Sequence, residues 1–325
     1  MRFRQKTALL FEKDSVIILN KTKRLPCILE CTRENSPANN EALWLEKREH
    51  RQQQGVALSK TMAFFLGIDI GSYTAKGILL QDQSVLSSYS CLSGGYYRGT
   101  AEQVRNALLS KTDKTTSDLS FVMATGHGAK QVFFADGEKS DITCQARGIA
   151  ALLPSARTVI DVGDLYSRVL RTDGLGNVRN FILSGKCAGG SGRVLQIMAK
   201  VLRVPVEDIG PLSLKSRNKV DFSTGCVVFS ESEAVSRIAE GVSKEDLLAG
   251  MHRALAAQLQ SLAERVGIER EVVMTGGGAK DEGLVKALED SLQCPISVPP
   301  DPLLTAALGA AMLGRERALL QNSEK

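Results

Sequence analysis

Apolar and polar residues follow two different spacings along the chain, and the spacing changes at regular intervals after Met62. Short apolar runs bounded by Gly, Asp or Ser predict buried strands, and apolar residues at every third or fourth position predict helices. The predicted strands are 64–70, 76–81, 119–124, 158–162, 167–172, 178–183, 271–275 and 296–298. The predicted helices are 101–110, 141–153, 193–202, 231–240, 244–266, 281–292 and 305–320. Strands that alternate with helices are typical of α/β proteins.

One strand–turn–strand pattern occurs twice. Phe65–Tyr73 reads FLGIDIGSY, and Thr158–Tyr166 reads TVIDVGDLY. In both, an apolar strand leads into Asp, one further residue, Gly and a polar turn, and a second strand follows. This duplication predicts two similar α/β halves around a shared cleft. The halves are predicted at 62–155 and 156–300, with a C-terminal helical segment, 301–325, that returns to the first half.

The segment 1–61 differs from the rest in charge and pattern. It carries 12 Lys/Arg and 7 Asp/Glu, so the formal net charge of +5 belongs to it, and the remaining residues hold 29 of each sign. We therefore expect no nucleic-acid partner for the rest of the chain. The segment is either a basic extension that docks a partner, or upstream translated sequence that is not native or is disordered. The second interpretation, with Met62 as the natural start, is favoured.

The cysteines and the hydropathy of the chain indicate in which cellular compartment the protein is expected. The seven cysteines are odd in number and irregularly spaced in a chain of 325 residues, which does not fit a secreted disulfide framework. No apolar run approaches the roughly 18 residues needed to cross a bilayer, and no secretion signal follows the basic start. The sequence therefore predicts a cytoplasmic protein with reduced thiols and no membrane partner.

The first repeat has the composition of a phosphate-binding turn. Gly71 lets the backbone approach a ligand closely, and the polar residues after it offer N–H and hydroxyl groups to phosphate oxygens. Lys76 adds positive charge, and Asp69 is suited to hold hydrated Mg²⁺ through water. The candidate nucleotide-binding residues of this turn are Gly71, Ser72, Tyr73, Thr74, Ala75 and Lys76. A single turn of this kind also occurs as an ordinary β-turn, so the pair of turns carries the prediction.

Two later elements complete the predicted nucleotide site. The second repeat offers Gly163 and a second candidate catalytic carboxylate, Asp161, beside Asp69. Two such loops and a metal would hold a triphosphate, whose transfer depends on positioning and charge neutralisation. The stretch EVVMTGGGAKDEG then ends a buried strand in three glycines whose backbone can lie against a flat ring or ribose: Gly276, Gly277 and Gly278.

Two cysteines stand in similar settings, 39 residues apart. Cys187 lies in KCAGGSGR before the predicted helix 193–202, and Cys226 lies in a loop before the predicted helix 231–240. A helix N-terminus favours a thiolate, which suits a metal ligand or a reactive thiol. Cubane iron–sulfur clusters take four thiolates, and two subunits on a two-fold axis would supply four. Burial as small apolar side chains is the alternative, and it is the interpretation for Cys91, Cys144 and Cys294.

The order of Asp-Gly hairpin, second Asp-Gly hairpin and late triple glycine resembles the actin-like ATPases, with their ribonuclease H-like fold. More closely, residues 62–318 are similar to the BadF/BadG/BcrA/BcrD ATPase family. The matching stretches are LGIDIGSYTAK, ATGHG, VIDVG, KCAGGSGR, CVVFSESEAVSRIAEG, AGMHRALAAQL, VVMTGGGAKDEGL and LGAAML.

This resemblance implies an ATPase coupled to electron transfer. It implies ATP or ADP with Mg²⁺ in the cleft and a [4Fe-4S] cluster that bridges two subunits through Cys187 and Cys226 of each. The implied partners are a second copy or a homologous ATPase subunit, a CoA-thioester reductase or dehydratase that receives one low-potential electron, and reduced ferredoxin or flavodoxin as donor. A cluster at a subunit boundary also implies oxygen sensitivity, and hence an anaerobic setting.

The sequence departs from the family pattern in one turn. Dehydratase activators typically carry Gly-Gln-Asp where this chain has Asp164, Leu165 and Tyr166, and Leu165 offers no polar contact to water or Mg²⁺. The stretches GSGR and KDEGL favour the smaller benzoyl-CoA reductase ATPase subunit instead, which would place a non-identical partner across the cluster. His127 of ATGHG is left outside the predicted site.

Two other functions fit the fold expectation. One is a small-molecule kinase, such as an amino-sugar kinase, which needs a carboxylate base beside its acceptor hydroxyl; the sequence offers no strong candidate, although Asp161 could serve. The other is a non-catalytic nucleotide-binding scaffold in which Leu165 marks a weakened ATPase.

Overall fold

The computed structural model describes residues 11–12, 15–16, 62–185, 190–222 and 227–323, without the side chains of 227–230. In these ranges the strands are β1 (Phe11–Glu12), β2 (Ser15–Val16), β3 (Phe64–Ile70), β4 (Thr74–Gln81), β5 (Ser84–Leu92), β6 (Leu119–Thr125), β7 (Gly137–Glu138), β8 (Thr158–Val162), β9 (Ser167–Thr172), β10 (Val178–Leu183), β11 (Val272–Thr275) and β12 (Ile296–Ser297). The helices are α1 (Tyr97–Ser110), α2 (Asp141–Leu152), α3 (Arg193–Leu202), α4 (Ile209–Ser213), α5 (Val227–Ala239), α6 (Lys244–Val266), α7 (Glu282–Leu292) and α8 (Thr305–Ser323).

The strands form two sheets with one topology. The first sheet contains the order β5-β4-β3-β6-β7, and the second has the order β10-β9-β8-β11-β12. In each, the first three strands along the chain form an antiparallel meander, and the last two are parallel to its first strand. The β1–β2 hairpin extends the first sheet where Val16 pairs with Val85. The duplication predicted from two short stretches therefore covers two whole sheets.

Every predicted strand and helix has an observed counterpart whose ends differ from the prediction by at most four residues. Strands 64–70, 158–162, 167–172 and 178–183, and helices 193–202 and 244–266, have the predicted ends. The serine-rich β5 was missed, because its side chains are mostly half-exposed and leave little apolar pattern. Helix α5 begins at Val227, four residues before the predicted start.

Two helices cross between the sheets. Helix α2 follows the first sheet and packs Ala146 and Ile149 against the core of the second sheet. Helix α8 follows the second sheet and packs its alanine-rich face against the first sheet, with Phe65 and Met123 in the same core. The crossing is close: a Cβ on Gly309 would lie 1.7 Å from the carbonyl oxygen of Cys144. Each half thus supplies one helix to the other, and the predicted boundaries at 62, 156 and 301 stay predictions.

The helices of the second half surround a large apolar core. Helices α3, α6 and α7 contribute Met198, Leu255 and Leu288, all fully buried. Asp281 precedes helix α7 as its N-cap, because its carboxylate accepts a hydrogen bond from the Leu284 N–H at 3.1 Å. None of the helices in the described ranges is long and apolar enough to cross a membrane.

Candidate functional site

A cavity of about 370 Å³ lies between the two sheets, at the carboxyl ends of β3 and β8. Eleven of the twelve predicted catalytic and nucleotide-binding residues line it: Asp69, Gly71, Ser72, Tyr73, Thr74, Lys76, Asp161, Gly163, Gly276, Gly277 and Gly278. Ala75 does not line it, because alternation along β4 turns its methyl group into the core of the first half. The cavity therefore brings together residues that lie up to 209 positions apart, since Asp69 and Gly278 both line it.

The first hairpin presents one ion pair to the cavity. Asp69 and Lys76 are cross-strand partners on β3 and β4, and Lys76 Nζ lies 2.7 Å from Asp69 Oδ2. The same ammonium group donates to the Thr74 carbonyl at 3.2 Å, and the turn closes through Gly71 N–H to the same carbonyl at 3.0 Å. Ser93 fixes the turn from outside, since its hydroxyl donates to the Gly71 carbonyl at 2.7 Å.

The second hairpin repeats this register with a different cation. Asp161 and Arg168 are cross-strand partners on β8 and β9, and Arg168 Nε lies 2.7 Å from Asp161 Oδ2. Arg168 also contacts the carboxylate of Asp141, the first residue of α2. Burial by itself would lower the pKa of Arg168, but Asp161 and Asp141 outweigh it and raise that pKa above its ordinary value. Arg168 therefore stays charged throughout the physiological pH range.

Sequence reasoning missed Arg168, although the chain contains a signal for it. Lys76 follows Asp69 by seven residues, and Arg168 follows Asp161 by the same interval. The chain contains a second repeat: Thr125–Lys130 reads TGHGAK, and Thr275–Lys280 reads TGGGAK. The parallel pairing of β3 with β6 and of β8 with β11 places Thr125 beside Asp69 and Thr275 beside Asp161.

The glycines of this second repeat pack directly against the two hairpin aspartates. Gly126 and Gly276 have φ of 88° and 81°, a region that favours glycine. A Cβ on Gly126 would lie 2.2 Å from Asp69 Oδ1, and one on Gly276 would lie 2.6 Å from Asp161 Oδ1. His127, which the sequence does not predict as a site residue, also lines the cavity, next to Gly126.

Asp164, in the turn that departs from the activator pattern, joins three elements. Its Oδ2 accepts hydrogen bonds from Ser72 of the first hairpin at 3.0 Å and from Arg193 at the start of α3 at 2.6 Å. Gln196, one turn further along α3, donates to its Oδ1 at 3.3 Å. This carboxylate therefore connects the first phosphate-binding turn to helix α3.

The other two residues of that turn have separate roles. Leu165 lines the cavity with an apolar side chain. The Tyr166 hydroxyl donates to Asp141 Oδ2 at 3.2 Å, and burial together with Asp141 raises the pKa of this phenol, which therefore remains a donor. The polar groups of the cavity wall next to Leu165 come from Tyr166, Arg168 and Asp141.

A buried chain of hydrogen bonds runs behind Asp161. Thr275 donates to Asp161 Oδ1 at 3.1 Å, and Gln145 of α2 donates to the Thr275 hydroxyl at 2.5 Å. Thr305, the first residue of α8, donates to Gln145 Oε1 at 2.9 Å. Asp161 is thereby tied to both crossing helices, and its oxygens accept from Arg168 and Thr275.

The two predicted metal-ligating residues, Cys187 and Cys226, lie outside the described residues. Helices α3 and α5, which follow them in sequence, share one apolar core through Met198 and Ala234. In the described ranges no group of three or more His, Cys, Asp or Glu side chains could hold a metal ion. Among the described cysteines, Cys144 is unsuited to ligation, because burial raises its pKa to about 12.

Two α/β halves of identical strand order, with an Asp-x-Gly hairpin from each at the cleft, define the actin-like ATPase fold. The chain belongs to the BadF/BadG/BcrA/BcrD ATPase family, which it matches over residues 66–314. A similar solved structure is the activator of the 2-hydroxyisocaproyl-CoA dehydratase from Clostridium difficile with bound ADPNP. The two share 36% identity at a TM-score of 0.76, over 81% of this chain and 98% of that one.

Two relatives carry names that correspond to the two kinds of partner enzyme. The (R)-2-hydroxyglutaryl-CoA dehydratase activating ATPase of Acidaminococcus fermentans is 38% identical, over 78% of this chain and 98% of the relative. A benzoyl-CoA reductase subunit from Thauera aromatica is 33% identical, over 79% of this chain and 94% of the relative. These identities do not favour the reductase subunit over the activators, although two short stretches did.

Proposed function

We propose that this protein is an ATP-hydrolysing [4Fe-4S] electron-transfer subunit or activator. It delivers one low-potential electron to an enzyme that reduces or dehydrates a CoA thioester. The observation that carries the proposal is the meeting of both Asp-x-Gly hairpins and the triple glycine at one cavity, in a chain of this ATPase family. Relatives named as an activating ATPase and as a reductase subunit support the two possible partners.

The cleft residues supply what triphosphate hydrolysis needs. Lys76 and the N–H groups of the first turn would bind phosphate oxygens, Asp69 would hold Mg²⁺ through water, and Asp161 would face the metal from the second half. Gly276, Gly277 and Gly278 would lie against the adenosine. ADPNP in the related structure supports this choice of ligand.

The cluster would be held by Cys187 and Cys226 and the same pair from a second subunit, a copy of this chain or a homologous ATPase subunit. The donor set fits the group, because four thiolates suit a cubane cluster and the two cysteines precede helices that pack together. When bound, the cluster supplies a one-electron carrier at the subunit boundary. Reduced ferredoxin or flavodoxin would be the electron donor.

Asp164 would couple nucleotide binding in the cleft to the helix that follows the cluster cysteine Cys187. Phosphate oxygens at the first turn would compete with Asp164 for the Ser72 hydroxyl, which donates to Asp164 at 3.0 Å. Asp164 also holds Arg193, six residues after Cys187, at the start of α3. Nucleotide binding would thus alter the angle between the halves and move α3 with it, as a hinge-type switch.

The test is anaerobic purification followed by iron and sulfide analysis and EPR of the reduced protein. We expect about four irons per dimer, as a cubane cluster shared by two subunits requires, and their loss in the Cys187→Ser/Cys226→Ser variant. Cys294→Ser, outside the predicted ligand set, is the matched control and should keep the iron. An iron-free wild type, or a cluster retained in the double variant, would contradict the proposal.

The kinase alternative is less favoured by the geometry of Asp161. A kinase base accepts the proton of the acceptor hydroxyl, and Asp161 already accepts hydrogen bonds from Arg168 at one oxygen and from Thr275 at the other, which leaves fewer lone pairs for that proton. A phosphorylated small molecule formed without a protein partner would revive it. ATP hydrolysis that disappears in Asp69→Asn would argue against the scaffold alternative.

A further inference from the structure

Three charged groups from separate elements meet at the wall of the cavity. The Arg168 guanidinium of β9 holds Asp161 Oδ2 with Nε and Nη2, at 2.7 and 2.6 Å, and its Nη1 contacts Asp141 at the start of α2. The side chain of Arg168 is 15% exposed and that of Asp161 is 5% exposed. Removal of Arg168 would leave two carboxylates of this group with no compensating charge.

The geometry of the group requires an arginine. One planar guanidinium presents donors in two directions, so it reaches two carboxylates at once, whereas an ammonium group acts as a compact point charge. In the first half Lys76 faces a single carboxylate, Asp69, and the crossing helix α8 begins with the neutral Thr305. The second half has one carboxylate more, because α2 begins with Asp141.

The surrounding contacts fix both carboxylates. Asp161 Oδ1 accepts from Thr275, with Gly276 directly behind it. Asp141 Oδ2 accepts from Tyr166 as well as from Arg168, and its Oδ1 accepts from the Ile142 N–H at 2.8 Å. Both side chains line the cavity and neither has freedom to turn away from it.

We propose that Arg168 is a positioning residue for ATP hydrolysis: it orients Asp161 toward the phosphate end of the cleft and cancels one of the two carboxylate charges there. The proposal rests on the proposed ATPase function. Charge and orientation are separable consequences. Charge controls how well an anionic nucleotide binds, and orientation controls the rate once it is bound.

Because charge and orientation affect different measured quantities, variants that change one or both of them have different expected results. Arg168→Gln removes both charge and orientation, so we expect the Kd for ADP with Mg²⁺ to rise at least fivefold and kcat to fall at least tenfold. Arg168→Lys keeps the charge, so Kd should stay within twofold while kcat falls. Arg168→Gln/Asp141→Asn restores the charge balance, so Kd should return to within twofold of wild type while kcat stays low.

Arg171→Gln is the matched control, because Arg171 lies on the same strand and pairs at 3.3 Å with Glu269, away from the cavity. Both its Kd and its kcat should stay within twofold of wild type. Equal losses in Arg168→Gln and in the double variant would overturn the charge role. An unchanged kcat in Arg168→Lys would overturn the orientation role.

Thermal unfolding without nucleotide separates this inference from the proposed function. Arg168→Gln should lower Tm by roughly 10 °C, and Asp141→Asn in that background should restore part of the loss. If the wild type binds no nucleotide, the proposed function fails, and the Tm comparison still decides whether Arg168 compensates two carboxylates. If Arg168→Gln does not fold, Arg168→Lys and the double variant carry the test.

Discussion

The two Asp-x-Gly hairpins have the same backbone and different electrostatics. Both place an aspartate opposite a cation seven residues later, and both have a positive-φ glycine behind the aspartate. In the first half the group is one carboxylate and one ammonium. In the second half it is two carboxylates and one guanidinium. The duplicated fold therefore repeats the positions of the aspartate and the cation in each hairpin. The number of carboxylates around the cation differs, because one crossing helix begins with Asp141 and the other with the neutral Thr305.

The largest expected effect comes from the aspartates themselves. Asp69→Asn and Asp161→Asn should each lower kcat/KM for ATP by roughly 10²–10³-fold, because each removes a charge from the preorganised phosphate end of the cleft. A steady-state ATPase assay measures this. Asp82→Asn, in the turn between β4 and β5 and outside the cavity, is the control and should stay within twofold. Loss at only one aspartate would mean that the halves are not functionally equivalent.

The glycines behind the aspartates test the shared backbone. Gly126→Ala and Gly276→Ala combine positive φ with a Cβ at 2.2 and 2.6 Å from a carboxylate oxygen. We expect Tm to fall by roughly 5–10 °C in both, and more in Gly126→Ala. Gly95→Ala, with φ of 78° and no neighbour within 4 Å, isolates the backbone strain and should cost less. Equal losses in all three variants would show that the aspartates tolerate the methyl group.

The hydrogen bond across the cleft is expected to have a smaller effect. Ser72→Ala removes the contact of the first hairpin with Asp164 but also removes a candidate phosphate ligand. Asp164→Asn keeps Ser72 and weakens its competitor, so nucleotide affinity should rise two- to threefold in Asp164→Asn and fall in Ser72→Ala. Isothermal titration with ADP and Mg²⁺ measures both. Ser90→Ala, on the exposed side of β5, should change nothing.

Asp246, a carboxylate outside the cleft, is expected to make the stability of the protein depend on pH. Asp246 accepts from the backbone N–H groups of Asn218 and Arg217 at 2.9 and 2.8 Å and from the Ser216 hydroxyl at 2.8 Å. These bonds, that from the Asn218 backbone foremost, lower the pKa of Asp246. A lowered folded pKa contributes stability above the unfolded value, about 3.9, and this stability is lost as pH falls through the folded pKa.

Asp246→Asn should therefore lower the urea midpoint of unfolding at pH 7. The difference from wild type should narrow below about pH 4, because the Asp246 carboxylate of the unfolded chain then takes up protons while the folded one, with its lowered pKa, stays charged. Asp221→Asn, a mostly exposed carboxylate near the same loop, is the control and should show a small and constant difference. A gap that is unchanged between pH 7 and pH 3 would contradict the prediction.

Much of the fold and of the cavity was predictable from the sequence. Strands such as β3 and β8 are continuous apolar runs that end in Asp-x-Gly, and such runs are local signals. Strand β5 was missed because serines at half-exposed positions remove the apolar pattern. Ala75 was placed in the site because a turn motif does not reveal which side chains of the following strand face the core.

The sequence by itself determined the duplicated hairpins, the triple-glycine loop and the pattern of helices, because each depends on residues close together along the chain. Only the tertiary structure decided which groups share the cleft. Asp141 precedes Arg168 by 27 positions, and they meet because α2 crosses from the first sheet to the second. Ser72 reaches Asp164 across 92 positions for the same kind of reason. Contacts between the halves depend on how the two apolar cores pack against the crossing helices, and no pattern of neighbouring residues reveals which side chains this packing brings together.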